Sequence, residues 1–193
     1  FRLGDFYEMF FDDAIEATRL LHITLTSRGS SNGKKVPMCG VPHHAAKNYI
    51  ARLIKHGRKV AICDQVEEPE PGKKIVKRDV TRVITPGTYL ADELLGASVN
   101  NYILSLKNEG GTFGLAYADI STGEFRVTEL VDKESLFSEL YKISPAECLI
   151  PDSFSKDSNF KDLKDVNLGA VTVNDDWAFD YGLSLEGIKR HFM

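Results

Sequence analysis

The apolar positions of the chain fall into short runs with two different periods. Phe1 to Phe10 is rich in aromatic residues and reads as extended. After Asp12-Asp13 the spacing becomes helical, with Ala14, Ile15, Thr18 and Leu21 in one stripe and two acids where the helix dipole favours them. His22–Thr26 alternates and is β-rich, which predicts a strand. Ser27–Val36 holds Gly29, Ser30, Ser31, Asn32 and Gly33 and reads as a loop, and Pro37–Pro42 as a structural turn before a second helix. Tyr49, Ile50, Leu53 and Ile54 form the stripe of that helix, and Gly57 sits where a left-handed C-terminal cap belongs. Val60–Cys63 and Val80–Ile84 are strand-like, and Pro86-Gly87 is a turn. The first part of the chain is therefore expected to run β-α-β-α-β-β, a small mixed sheet with helices.

Asp92–Asn101 reads as a connection. Beyond it the pattern predicts strands over Tyr102–Leu106, Thr112–Ile120 and Glu124–Leu130, joined by two hairpin turns, Asn108-Glu109-Gly110-Gly111 and Ser121-Thr122-Gly123. A helix near Lys133–Tyr141 follows, then a strand around Glu147–Ile150. A polar loop, a β-rich Ala170–Val173 and a last helix over Leu183–Phe192 complete the pattern. Three antiparallel strands, a helix and a further strand resemble the opening of a ribonuclease-H-like fold, a likeness that says nothing firm about activity. The expected fold class is α/β in two domains, residues 1–92 and 100–193.

Composition adds little to this picture, and charge adds more. The 193 residues, 42% hydrophobic and 27% charged, suit globular domains with real cores. No basic-then-apolar leader and no run of about 18 apolar residues is present, so a non-secreted, cytoplasmic chain is expected. It opens on Phe1 and stops after His191-Phe192-Met193, and is expected to be a piece of a longer protein. Cys39, Cys63 and Cys148 are few and scattered, as reduced thiols would be. The net charge of −4 hides an asymmetry: residues 1–90 carry 15 Lys and Arg against 10 Asp and Glu, a net +5, and residues 91–193 carry 9 against 18, a net −9. The basic part is the plausible nucleic-acid surface, and the acidic part suits a different partner.

Phe6 and Glu8 are the first candidates for chemistry. In an extended segment they share one face. An exposed ring can enter between base steps and replace lost stacking, worth about 1–3 kcal/mol per base. A defective base pair costs least to unstack, so such a wedge prefers it. A carboxylate beside it repels intact duplex but can accept a hydrogen bond from a displaced base edge. The structural alternative is that Phe6, Tyr7, Phe10 and Phe11 are core, and that Asp5 and Glu8, three apart, form a helix cap with its reciprocal partner.

Other clusters offer further options. Arg28, Lys34 and Lys35 lie in the Gly/Ser-rich segment, where backbone can approach phosphates, and Lys73, Lys74, Lys77 and Arg78 form a second basic cluster. Either could equally be a solvated loop. Cys39 with His43 or His44 could suggest a metal or thiol site, but the spacing fits neither well; His43 and His44, at a helix start, could instead face nucleic acid. Asp119 and Glu124 raise a metal-dependent, ribonuclease-H-like nuclease as a rival, although each is also an ordinary hairpin residue.

The motif Gly4-Asp5-Phe6-Tyr7-Glu8-Met9-Phe10, followed by Asp12-Asp13-Ala14, resembles the start of the mismatch-recognition domain of the MutS family. So do Leu25-Thr26-Ser27-Arg28-Gly29, Pro37-Met38-Cys39-Gly40-Val41-Pro42-His43-His44, Val60-Ala61-Ile62-Cys63-Asp64-Gln65 and Arg82-Val83-Ile84-Thr85-Pro86-Gly87-Thr88, in order across the first 90 residues. The remainder resembles the family's connector domain more loosely, through Tyr117-Ala118-Asp119-Ile120-Ser121-Thr122-Gly123-Glu124-Phe125. The resemblance implies DNA mismatch repair. Phe6 would be the stacking wedge, Glu8 the carboxylate that hydrogen-bonds the mispaired base, Leu3 an apolar residue at the same groove, and Arg28 a contact to the DNA backbone; from their own charge and position, Lys34, Lys35 and His43 are further candidates for DNA contact. The resemblance also implies a MutL-type repair protein as partner of the connector, a homodimeric, nucleoid-associated full-length protein, and ATP with Mg²⁺ bound far downstream. No G-x-x-x-x-G-K-[ST] occurs in these residues, so neither a cofactor nor enzyme activity is expected within them. The alternative is an interaction module that does not itself read DNA.

Overall fold

A computed structural model describes residues 1–31, 33–67, 76–90 and 100–193. The chain divides into two units, Phe1–Thr85 and Pro86–Met193. No helix among the described residues is long and apolar enough to cross a membrane.

The first unit opens with a hairpin of β1 (Arg2–Leu3) and β2 (Phe6–Phe10), turned by Gly4 at φ +61 and Asp5. Phe11, in the left-handed region at φ 55, bends the chain directly from β2 into helix α1 (Phe11–Leu21). Strands β3 (Thr26–Ser31) and β4 (Lys34–Pro42) form a second hairpin. A 3₁₀ turn over His43–Ala45 leads into α2 (Ala46–Lys55). That helix ends as expected on Gly57, at φ +71, whose N–H bonds the Ile54 carbonyl. Strands β5 (Val60–Gln65) and β6 (Arg78–Ile84) pair as a separate antiparallel ribbon.

The four-stranded sheet has the order β1-β2-β4-β3, antiparallel throughout. Its inner face carries Met9 and Cys39, and α1 covers it with Ala14, Ala17 and Leu21; Leu53 of α2 and Val60 complete the core. The small alanines let helix and sheet approach closely.

The second unit starts with a 3₁₀ turn over Pro86–Thr88. Strands β7 (Tyr102–Glu109), β8 (Thr112–Asp119) and β9 (Glu124–Leu130) form an antiparallel meander, followed by α3 (Lys133–Ile143) and β10 (Glu147–Pro151). Two short helices, α4 (Asp152–Ser155) and α5 (Ser158–Lys161), and a 3₁₀ turn precede β11 (Ala170–Asn174), and α6 (Tyr181–Phe192) closes the unit. The sheet order is β11-β10-β7-β8-β9, with β10 parallel to both β7 and β11. Three antiparallel strands extended by two parallel ones on the side of the first is the ribonuclease-H-like arrangement, and this sheet is the mixed one. Its core joins Leu104, Leu106, Phe113 and Leu115 to Leu136, Leu140 and Ile143 of α3.

Several expectations for the first unit are corrected. Ser27–Val36 is the β3–β4 hairpin and not a loop, and Pro37–Pro42 lies in β4 and not in a turn. His22 caps α1 in the left-handed conformation, so the strand read over His22–Thr26 begins only at Thr26. Glu8 is in a strand and Asp5 in a turn, so they do not cap a helix. In the second unit the polar stretch after β10 contains the short helices α4 and α5. Lys73, Lys74 and most of the Asp92–Asn101 connection lie outside the described residues.

Candidate nucleic-acid interface

Strand alternation and register decide what Phe6 and Glu8 face. In β2, Tyr7 and Met9 turn toward the covered side, so Phe6 and Glu8 lie on the side α1 does not cover. Leu3 pairs directly with Phe6 across the Gly4-Asp5 turn, which brings the two apolar side chains together on that open side. Phe6 is 47% exposed despite its size. Glu8 pairs with Gly40 of β4. A Cβ at Gly40 would touch Glu8 Cγ at 3.5 Å and Phe6 Cδ1 at 3.7 Å, so the missing side chain leaves the floor on which both lie.

Arg28 reaches the same floor from β3. It pairs with Val36 and shares the open face of β4 with Met38 and Gly40. Its Nη1 donates to Glu8 Oε2 at 2.8 Å, and the Glu8 side chain is 13% exposed against 57% for Arg28. The register shift between Arg28 and Ser30, around Gly29 at φ +61, is a bulge that changes the strand's alternation just beyond Arg28. Phe6, Glu8, Leu3 and Arg28 thus converge.

The remaining site candidates are spread further. Lys34 and Lys35 are exposed at the tip of the β3–β4 hairpin, but alternation puts only Lys34 on the face of Gly40. His43 is exposed, and its ring lies 5.7 Å from that of Tyr7, which turns away from the Phe6 face. Its backbone N–H donates to the Asp5 carbonyl at 2.8 Å and so fixes the turn between Leu3 and Phe6. Arg78 donates through Nε to the Arg2 carbonyl and through Nη1 to that of Val76.

Behind the open face a polar network holds β2 in place. The Tyr7 hydroxyl donates to Asp64 Oδ1 at 2.7 Å, and Thr81 Oγ1 donates to Asp64 Oδ2 at 2.8 Å. Burial pushes the Asp64 carboxyl up, but the hydrogen bonds from Tyr7 and Thr81, with Arg2 and His43 nearby, outweigh it and hold the group below its ordinary value. Gly40, Tyr7 and Asp64 were not singled out from sequence. Finding them needs the β2–β4 register and the position of the β5–β6 ribbon, which no local spacing encodes.

The rival chemistries find less support in the geometry. Cys39 is fully buried on the covered face, where burial raises its thiol, while His43 and His44 are exposed. Asp119 accepts from Asn101 N, Ser121 N and Ser121 Oγ. Glu124 accepts from the Tyr102 hydroxyl and from Arg126. Both carboxylates are therefore engaged, and among the described residues no group of three or more His, Cys, Asp or Glu could hold a metal ion.

Two family models match the chain. Residues 1–93 match the family model described as MutS domain I, and residues 101–193 match MutS domain II. The DNA mismatch repair protein MutS of Syntrophomonas wolfei is 53% identical over 158 residues, 80% of this chain and 18% of that protein. The proteins of the same name from Lachnoclostridium phytofermentans and Ruminiclostridium cellulolyticum are 43% and 44% identical over all of this chain, covering 21% and 22% of their own lengths. The chain spans about a fifth of the length of the curated relatives it matches.

Proposed function

Since the chain belongs to the MutS family of DNA mismatch repair proteins, we propose that its first unit reads mispaired or unpaired bases in duplex DNA, with Phe6 as a stacking wedge and Glu8 as the acceptor for the displaced base edge. The observation that carries this reading is the half-exposed Phe6 ring beside the Glu8 side chain on the sheet face that α1 leaves open, both over Gly40. A large ring left in solvent gives up burial worth about 1.5–3 kcal/mol, which a function must offset. Inserted at a base step, the ring recovers that energy as stacking. At a paired step it must first break good stacking; at a mismatch it does not.

Glu8 then discriminates by hydrogen bonding, because the Watson–Crick-edge donors of a correctly paired base are taken by its partner, and only a displaced base offers them to the carboxylate. Leu3 extends the apolar edge of the wedge. Arg28, Lys34, Lys35 and His43 serve the phosphates, which position the protein without reading sequence. The second unit, net −9, serves as a connector that docks a MutL-type repair protein and the parent's own domains. The full-length protein is proposed to act as a cytoplasmic, nucleoid-associated homodimer that binds ATP and Mg²⁺ outside this segment.

The test uses the full-length protein, with fluorescence anisotropy on a G·T duplex and the matched G·C duplex at one stated salt concentration. Phe6→Ala is expected to bring the affinity ratio between the two duplexes close to one while changing matched-duplex affinity much less. An unchanged ratio would make Phe6 a packing residue and sink the wedge mechanism.

A further inference from the structure

Arg28 and Glu8 form an ion pair on the very face that the proposed function turns toward DNA. The pair is asymmetric. The Glu8 side chain, which lies over Gly40 and holds Arg28, is only 13% exposed, whereas the Arg28 side chain is 57% exposed. Glu8 Oε2 takes Arg28 at 2.8 Å, and the Phe1 ammonium, bonded to the Glu8 backbone carbonyl, is a further cation that feels the carboxylate. A guanidinium this close to a carboxylate is electrically spent: seen from a phosphate several ångström away, the pair is nearly neutral.

We infer that Glu8 and Arg28 act as a charge-exchange pair, in which Glu8 withholds the Arg28 guanidinium from the DNA phosphates until a displaced base takes over the carboxylate. This rests on the reading of Phe6 and Glu8 given above. On matched duplex the Watson–Crick-edge donors are held by the partner bases, Glu8 keeps Arg28, and the protein makes one phosphate contact fewer. At a mismatch the base edge donates to Glu8, the guanidinium is released, and its planar fork turns to a phosphate. Base reading and backbone grip are thereby linked through a single side chain. Arg28 is a positioning and specificity-determining residue that acts through Glu8, and not simply one more phosphate contact.

The inference differs from plain repulsion by Glu8 in a measurable way. Each phosphate neutralised adds about 0.9 to the slope of log affinity against log salt. In the full-length protein, the slope on G·T duplex is expected to exceed that on G·C duplex by about this amount, and Arg28→Gln to make the two slopes equal. Glu8→Ala frees Arg28 permanently: it is expected to tighten matched-duplex binding several-fold and to raise the matched slope to the mismatch value. The double variant Glu8→Ala, Arg28→Gln is expected to bind matched duplex no more tightly than Arg28→Gln alone. If the tightening persists in full in the Arg28→Gln background, the carboxylate acts by its own repulsion and the exchange is refuted; equal slopes in the wild type refute it as well. Phe6→Ala, measured alongside, separates this outcome from failure of the wedge reading, since Phe6 takes no part in the ion pair.

Discussion

Asp119 is 1% exposed at the end of β8, yet both of its carboxylate oxygens are used. Oδ1 takes the backbone N–H and hydroxyl of Ser121, at 2.8 and 2.6 Å, and Oδ2 takes the Asn101 N–H at 3.0 Å. Burial raises the carboxyl, and the Ser121 and Asn101 hydrogen bonds outweigh it and hold it below its ordinary value. A carboxyl depressed in the folded state stabilises the fold above its unfolded pKa, near 4, and loses that contribution as pH falls through the lowered folded value. Asp119→Asn offers a donor where two acceptors are needed. It is expected to destabilise the second unit by about 1–3 kcal/mol at pH 7. Urea unfolding at pH 7 and at pH 3 checks this, and the gap between wild type and variant should narrow at the lower pH. From sequence Asp119 could be a hairpin residue or a metal ligand. The residue type and the turn were legible, but the Asn101 partner, brought in from before β7, was not. The same limit applies to the candidate interface: Phe6 and Glu8 are two residues apart and could be paired on paper, whereas the ion pair of Glu8 with Arg28 spans twenty residues and depends on sheet order.

Most of the elements that pattern alone located have one apolar face and one polar face, although β10 is buried at all but Leu149. Strands β7, β8 and β9, helices α1 and α3, and the parallel strands β10 and β11 all fall where alternation or helical spacing put them. The β3–β4 hairpin did not, because β3 is short and polar, with exposed residues where its burial is described, and β4 carries two prolines and a glycine. Pro37 is tolerated because β2 pairs only with residues 38–42 of β4, so one side of Pro37 faces no strand. At Gly40 a Cβ would meet only ordinary van der Waals contacts, at 3.5 Å or more, so neither space nor backbone geometry imposes glycine there. At the entry to β11 the backbone itself imposes glycine. Gly169 has φ +63, and a Cβ there would lie 2.3 Å from the Ala146 carbonyl oxygen and 2.4 Å from that of Pro145. Neither can move without lifting β11 off β10. Gly169→Ala is expected to destabilise the second unit by about 3 kcal/mol or more, conformational and steric costs together. Gly110→Ala, also at positive φ but with nothing within 4 Å, is the control and is expected to cost only about 1–2 kcal/mol. Thermal or urea unfolding of the two variants decides between them; equal losses would mean that β11 can shift to make room.

At the scale of the whole chain, the two units differ in both charge and core. The boundary between Thr85 and Pro86 leaves the charge division of +5 and −9 unchanged, because residues 86–90 carry no charge. The described core of the first unit has eleven buried apolar residues, but they run to small side chains: four are alanines, Ala14, Ala17, Ala46 and Ala51, and two are cysteines. That of the second gathers twelve buried residues, leucines and phenylalanines prominent among them, between the sheet and α3. Apolar burial stabilises by roughly 25 cal/mol per Å², and a unit of this size has little surplus over its conformational entropy. The first unit also holds Phe11 in the left-handed region and leaves Phe6 exposed, which costs it further. Stability given up in the unit proposed to read DNA is what a wedge requires, since the ring must be free to leave one surface for another. Residues 1–85 and 86–193, made as separate polypeptides and unfolded in urea, are each expected to give a cooperative transition, with the first at the lower midpoint. Adding mismatched duplex should raise the midpoint of the first and leave that of the second where it was, because only a ligand that binds the native state shifts the equilibrium. If the first polypeptide proved the more stable of the two, exposure of Phe6 would carry no cost in stability, and the case for it as a strained, purposeful feature would fall.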